Sequence, residues 1–235
     1  RLAAGVLRES LELSALEHAA NEHLRSIRVI AGDVDAARSI FDLMPTDTAA
    51  DWEVICERMS KVPFSFAGMR ESWSLGVQRG ALAQRRQVIA SSEQLAAWAG
   101  RGNMPAFFEQ FVESAATVKG APMERLREVA KDASRALGET SDYLLNEYAP
   151  LADLQDGVGP ERHALARRRF MGMSVEAKDA YEWGWGEVRR IDTEMARVAQ
   201  QIQPGATLDE VRHLLDTDPA RSIQGEEGLR DWLQQ

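Results

Sequence analysis

The sequence is poor in the features that define several classes of protein. Cys56 is the only cysteine among 235 residues, so a fold held together by intrachain disulfides is excluded. No apolar run approaches the roughly 20 residues that a membrane-spanning helix needs. We therefore expect a soluble, cytoplasmic protein with a reduced thiol and no membrane partner.

Positive charge is also scarce. The chain has 28 Lys and Arg against 37 Asp and Glu, which gives a formal net charge of −9. Duplex nucleic acid is an unsuitable partner for so acidic a chain, because its binding depends on Lys and Arg contacts to phosphates. Disorder is excluded as well, since 44% of the residues are hydrophobic and six are tryptophan.

Signals for β-strands are missing, whereas helical spacing runs through almost the whole chain. Alternating Val- and Ile-rich stretches and hairpin dipeptides such as Asn-Gly do not occur. Thr48 and Thr207 each begin a capping-box pattern, which marks the start of a helix. One stripe at helical spacing predicts a single helix up to Gly32: Leu13, Leu16, Ala20, Leu24 and Ile27. The sequence predicts an all-α array of about nine to ten helices, several of them long and antiparallel.

The longest stripe lies near the C-terminal end of the chain. Its members advance by 3 and 4 residues in turn: Tyr181, Gly184, Val188, Ile191, Met195, Val198 and Ile202. This spacing is typical of the seam between two packed helices.

No shift in composition divides the chain, so we predict a single helical domain over residues 1–235. The loop at 153–160 is the only candidate boundary. The chain begins with Arg1 rather than Met and stops within an amphipathic segment. We therefore expect it to be a piece of a longer protein.

Glycines within helical stretches predict close packing, because each costs about 1 kcal/mol of helix stability relative to alanine. Gly76 and Gly80 lie on or beside the apolar stripe of one helix. Two more glycines alternate with tryptophans between Tyr181 and Ile191. That cluster has two interpretations, a tight helix crossing or the wall of a cleft to which Tyr181 presents its hydroxyl.

Established catalytic motifs are missing. No HExxH, no nucleophile elbow and no phosphate-binding glycine loop occurs. His18 and Glu22 share a helix face, which we interpret as polar surface rather than a pair of metal ligands. Cys56 falls on an apolar stripe and is predicted to be a buried structural thiol. The run of arginines at 167–169 is interpreted as a solvated or C-terminal helix face, with an anion site as the alternative.

Four groups of residues carry a family resemblance. They are Ile40 to Thr48 with Asp51-Trp52, Arg168 to Ser174, Asp179 to Met195, and Arg221 to Gly225 with Trp232 to Gln234. In this order they resemble the bacterial domain-of-unknown-function family 885 over nearly the whole chain. The resemblance implies a largely helical fold related to the thermostable zinc carboxypeptidases, with an HExxH-type motif beyond the end of this chain.

The resemblance implies that the chain is the non-catalytic helical portion of a zinc-dependent hydrolase of peptide or amide bonds. It would carry no cofactor and no catalytic residue itself, and would be inactive alone. Zinc would belong to the full-length parent. The implied partners are the C-terminal remainder of its own chain and a peptide substrate.

The resemblance also points to individual residues. Gly184-Trp-Gly-Glu-Val-Arg-Arg-Ile191 fits the family's pattern Gly-Leu-x-Glu-Val-x-Arg-Ile, and Tyr181 stands where many relatives carry histidine. The candidates for a substrate cleft are Tyr181, Trp185, Glu187 and Arg190. The alternative function is a stand-alone helical module that binds a protein or peptide without enzymatic activity.

Overall fold

A computed structural model describes residues 2–234, with side chains from residue 4 onward. Within this range the structure contains helices and no β-sheet, so the all-α prediction is confirmed. None of the helices between residues 2 and 234 combines the length and the apolar character needed to cross a membrane. The chain forms two compact units, Arg1–Phe170 and Met171–Gln235. The loop at 153–160 lies within the first unit.

The first unit contains eight α-helices in the described residues, the last of which ends at the division between the units. They are α1 (Leu2–Ala19), α2 (Asp33–Ser39), α3 (Ala49–Met59), α4 (Val62–Gln78), α5 (Arg85–Trp98), α6 (Phe107–Glu113), α7 (Met123–Tyr143) and α8 (Pro160–Met171). A π-helical segment, Leu144–Tyr148, continues α7. The second unit contains α9 (Ala177–Ile202), α10 (Leu208–Thr217) and α11 (Gly225–Leu233).

The core of the first unit surrounds α7, which packs against α3, α4, α5 and α6. The largest fully buried side chains include Trp52, Trp73 and Phe108. Ser92 of α5 and Ser141 of α7 each donate a hydrogen bond to the other's carbonyl oxygen, both at 2.9 Å. These bonds satisfy two buried hydroxyls and hold the two helices close together.

The predicted helix up to Gly32 is wrong, because α1 ends at Ala19. Asn21 adopts a left-handed backbone conformation with φ of 57°, and a single 3₁₀ turn, Glu22–Leu24, follows it. Asparagine tolerates this conformation better than most residues. Leu24 and Ile27 are buried as core residues nonetheless, so their apolar spacing reports burial rather than a continuous helix.

The prediction of close packing is confirmed at Gly76 and wrong at Gly80. A methyl group at Gly76 would meet the backbone carbonyl oxygens of Leu24 and Ala81, the latter at 3.0 Å. Around Gly80 the space is open within the described residues. Gly80 instead follows the end of α4 with a φ of 69°, a conformation that favours glycine.

The segment after α7 is fastened to the start of α5. Asp153 N–H donates to the carbonyl oxygen of Ala83 at 3.0 Å, and Arg85 N–H donates to the carbonyl oxygen of Asp153 at 2.7 Å. The buried Tyr148 hydroxyl accepts a hydrogen bond from Ala83 N–H at 2.9 Å. These three bonds bring the loop beside Gln84, at one edge of the groove described below.

Candidate functional site

All four residues predicted to line a substrate cleft lie on α9 of the second unit. The rings of Tyr181 and Trp185 pack edge to face, with their centroids 6.2 Å apart and their planes at 77°. Arg190 Nε donates to Glu187 Oε2 at 2.9 Å, one helical turn away. This hydrogen bond raises the pKa of Arg190. The structure thus forms two separate pairs and does not bring all four together, because at 100° per residue Glu187 and Arg190 lie on a different face of α9 from Tyr181 and Trp185.

Most of the apolar stripe of α9, the residues from Tyr181 to Ile202 named above, is exposed. The exposed fractions are 66% at Tyr181, 45% at Val188, 45% at Ile191, 38% at Val198 and 41% at Ile202. Within the second unit α10 packs against the C-terminal end of α9, where Ala199, Ala206 and Val211 are buried. The spacing predicts a second helix packed along this seam. In the described part of the second unit, no helix covers most of the stripe.

Gly184, which belongs to the stripe, and Gly186 do not mark a tight crossing in the described residues of the second unit. Apart from the adjacent residues and the backbone of α9 itself, no described atom of that unit comes within 4 Å of the position that a methyl group would take at Gly184 or Gly186. The neighbouring Trp183 and Trp185 are 70% and 49% exposed. The described residues of the second unit therefore contain no tight helix crossing at this cluster, which was the first of its two interpretations.

Carboxylates border the exposed stripe along both sides. At 100° per residue, Glu187 and Glu194 lie along one edge and Asp192 along the other. Glu187 and Glu194 each pair with an arginine three residues later, Arg190 and Arg197. Asp192 makes no ion pair in the part of the chain that the structure describes. Asp192 thus adds an uncompensated negative charge beside the apolar side chains, whereas the charges of Glu187 and Glu194 are shared with arginines of the same helix.

A second candidate site lies in the first unit, as a groove of about 940 Å³. Its walls are the C-terminal end of α1, the segment at 22–33, the start of α5 and one face of α8. Nothing in the sequence alone indicates this groove, because its walls come from four separate segments of the chain. Only the apposition of α1 and α8 closes it.

Three arginines of α8 bind carboxylates near or on α1. Arg168 donates two hydrogen bonds to Glu9 at 2.6 and 2.8 Å. Arg169 binds Glu17 and Arg162 binds Glu22 in the same two-point manner; their bond lengths range from 2.5 to 2.9 Å. Arg168 and Arg169 do lie in the last turn of α8, as the C-terminal interpretation of residues 167–169 predicts, but they are ion-paired rather than freely solvated. The paired, planar geometry is the one that guanidinium and carboxylate groups favour.

His18 and His23 stack at the groove, with ring centroids 4.3 Å apart and planes 13° apart. They come together because the chain turns at Asn21, so they do not lie on different faces of one helix. The pKa of His23 is lowered by burial and by the charges of His18 and Arg79. The neighbouring His18 ring and the Arg79 cation thus disfavour the charged form of His23.

Positive charge collects around Glu22 at the base of the groove. Burial raises the pKa of the Glu22 carboxyl, but Arg162, Arg25 and Arg28 outweigh burial and hold that pKa below its usual value. The pKa of Arg25 is lowered by burial and by its neighbour Arg162. The Glu22 carboxylate thus forms ion pairs with Arg162 and Arg25, and Arg28 adds a third positive charge nearby without an ion pair among the described residues.

A comparison with models of protein families identifies the family of the chain. The profile described as "Bacterial protein of unknown function (DUF885)" matches residues 1–235. The chain belongs to this family. No curated protein matches it. The match spans all four blocks that carried the resemblance, and the description of DUF885 names no activity.

The residues of this DUF885 chain do not fit the zinc ion that the resemblance implies. In residues 2–234 no three His, Cys, Asp or Glu side chains come together as a metal-binding group. Cys56 is buried, and burial raises the pKa of its thiol, which disfavours the thiolate that zinc requires. No catalytic step through zinc can be derived from these residues.

Proposed function

We propose that the chain is the non-catalytic helical part of a zinc-dependent hydrolase of peptide or amide bonds, and that α9 is its binding surface. The occupant of the α9 stripe would be an amphipathic helix whose flanking residues are basic. The observation that supports this proposal is the exposed apolar stripe of a 26-residue helix.

The spacing of the stripe favours a helix as the occupant. Steps of 3 and 4 residues are those by which one helix packs its side chains between those of another. From Tyr181 to Ile202 the stripe extends over about 30 Å, at 1.5 Å per residue. A partner helix of roughly 20 residues would cover it, which is a common length for helices that bind a groove or a partner helix.

The carboxylates beside the stripe favour some partner helices over others. Glu187, Asp192 and Glu194 border the stripe, so Lys or Arg at the flanking positions of the partner would meet opposite charge. A second copy of α9 would bring carboxylates against carboxylates. We therefore favour a basic helix over self-association.

The hydrolase part of the proposal draws on membership of DUF885 and on the resemblance to the thermostable zinc carboxypeptidases. The zinc ligands and the general base of such an enzyme would come from residues other than those of this chain. Tyr181, Trp185, Glu187 and Arg190 would then contact a peptide substrate or the remainder of the enzyme. Their roles would be in binding.

We expect the purified chain to bind zinc far below one equivalent and to hydrolyse no peptide or amide. The physical reason is the lack of convergent ligands in the described residues. The measurement is metal content after equilibration with zinc and gel filtration, together with assays on blocked dipeptides. Stoichiometric zinc accompanied by peptidase activity would refute the proposal of a non-catalytic part.

We expect Ile191→Asp to weaken binding of a basic amphipathic 20-residue helix by at least about tenfold, because it places a charge in a desolvated contact. The measurement is the dissociation constant from the fluorescence of Trp183 and Trp185. Ala196→Asp is the matched control, since it adds the same charge to α9 at an exposed position off the stripe. A peptide with glutamates in place of the flanking lysines should bind more weakly. Equal affinity of the two variants, or of the two peptides, would contradict the proposal.

The alternative is a stand-alone module that binds a helix or peptide of another protein. Its support is the compactness of the second unit, which has a core of its own and a complete capping box at Thr207. The hydrolase and the binding module can be distinguished by adding the HExxH-containing segment of a DUF885 protein in trans. A gain of zinc-dependent hydrolysis favours the hydrolase, and helix binding without such a gain favours the module.

A further inference from the structure

The groove of the first unit is a second site, independent of α9 and of any hydrolase. Four guanidinium groups line it, those of Arg25, Arg28, Arg162 and Arg169. Three carboxylates oppose them, and two of these are already held at two points by Arg162 and Arg169. The third, Asp33, accepts a hydrogen bond from the hydroxyl of Ser26. In a chain of net charge −9, this groove retains an excess of cations.

Hydrogen-bond donors are left over on the same walls. Arg28 makes no ion pair with any of the residues that the structure describes. Arg25 donates from Nη2 to the carbonyl oxygen of Ala20 at 2.7 Å; its buried Nε forms an ion pair with Glu22 Oε1 at 3.7 Å, which is too far for a hydrogen bond, and has no acceptor. The buried side-chain amide nitrogen of Gln84 also lacks an acceptor. Buried donors without acceptors are costly, and an oxygen-rich ligand would satisfy them.

Part of the remaining lining is apolar. Ile27, Val29 and Leu165 contribute to the walls, and Ile30 and Phe170 contribute strongly exposed side chains. The volume of about 940 Å³ lies at the upper end of the range for small-molecule sites, and it far exceeds that of a bare ion. The groove thus combines cationic donors with an apolar lining.

We propose that this groove binds an organic acid, in which a carboxylate or phosphate group meets Arg25, Arg28 and Gln84 and an apolar body lies against the apolar wall. The head group is held by charge and by the unpaired donors. The apolar body accounts for the exposed Ile30 and Phe170. The ion pairs that α8 forms with Glu17 and Glu22 hold the walls of the groove together and do not occupy its interior.

The first experiment uses probes that differ in the head group alone. We expect N-benzoylglycine to bind the full chain at least about tenfold more tightly than N-benzoylglycinamide, since hydrogen bonds to a charged group are the stronger ones. Phenyl phosphate is the second acidic probe. It distinguishes a phosphate site from a carboxylate site according to which of the two acids binds more tightly. Equal affinity for the acid and its amide, or no saturable binding of either acid, would overturn the proposal.

The second experiment locates the binding. The imidazole resonances of His18 and His23 should shift as N-benzoylglycine is added, whereas that of His213 in the second unit should not. Arg28→Gln should weaken binding about tenfold or more, because Arg28 is an exposed cation whose loss leaves the fold intact. Arg8→Gln removes an exposed cation of α1 that does not line the groove, and should leave the affinity unchanged. Unchanged affinity in Arg28→Gln, or shifts confined to His213, would refute the assignment.

Discussion

Replacing Trp52 with alanine is expected to lower the free energy of unfolding of the first unit by about 3–5 kcal/mol. Trp52 is completely buried, and its indole ring lies against Phe111 with centroids 5.3 Å apart. Its indole N–H donates to the carbonyl oxygen of Thr46 at 3.0 Å. Truncation therefore leaves a cavity in the core and removes the donor from a carbonyl that precedes α3.

The measurement is urea unfolding followed by far-ultraviolet circular dichroism. Phe64→Ala is the matched control, because that ring is 82% exposed in the same unit and its loss should change stability by less than about 0.5 kcal/mol. Trp52→Phe keeps most of the volume and removes the donor, so it should fall between the two. Similar losses for Trp52→Ala and Phe64→Ala would contradict the placement of Trp52 in the core.

The second large effect is a difference of sign between two glycines of α4. Gly76→Ala is expected to destabilise the first unit by about 1–3 kcal/mol, because the new methyl group would collide with backbone oxygens of Leu24 and Ala81. Gly68→Ala should stabilise it by up to about 1 kcal/mol, because space is open around Gly68 and alanine favours the helix. The two variants add the same group to the same helix.

Gly76→Ala should also disturb the groove. Leu24 is the last residue of the turn that carries Glu22 and His23, so displacement of its carbonyl would move both side chains. The measurement combines urea unfolding with the imidazole resonances of His18 and His23 in the folded protein. Gly68→Ala should leave those resonances unchanged. Equal stability of the two variants would show that α4 and the 22–24 turn are not in such close contact.

Local patterns in the sequence predict much of the fold. Both capping boxes are confirmed. The hydroxyl oxygens of Thr48 and Thr207 each accept a hydrogen bond from the backbone N–H three residues later, and the backbone N–H of each threonine donates to the carboxylate of that later residue. Trp52 and Met59 are fully buried, as their helical spacing indicates. These features depend on residues within one or two turns of each other, which is the range over which a sequence can be interpreted directly.

Contacts between distant residues could not be predicted in this way. Arg162 binds Glu22 across 140 positions, and Arg168 binds Glu9 across 159. Without knowledge of how α8 lies against α1, an arginine-rich helix end resembles any solvated surface. The stacking of His18 on His23 depends on the turn at Asn21, which apolar spacing alone did not reveal.

The sequence by itself determined the all-α class, the family, the stripe of α9 and the residues that begin two of the helices, because periodicity and caps are local properties of the chain. Only the tertiary structure decided which apolar faces are covered. It left the stripe of α9 largely exposed within its own unit, and it closed a cationic groove between α1 and α8. Burial and charge compensation depend on which segments meet, and that is a property of the whole packed chain.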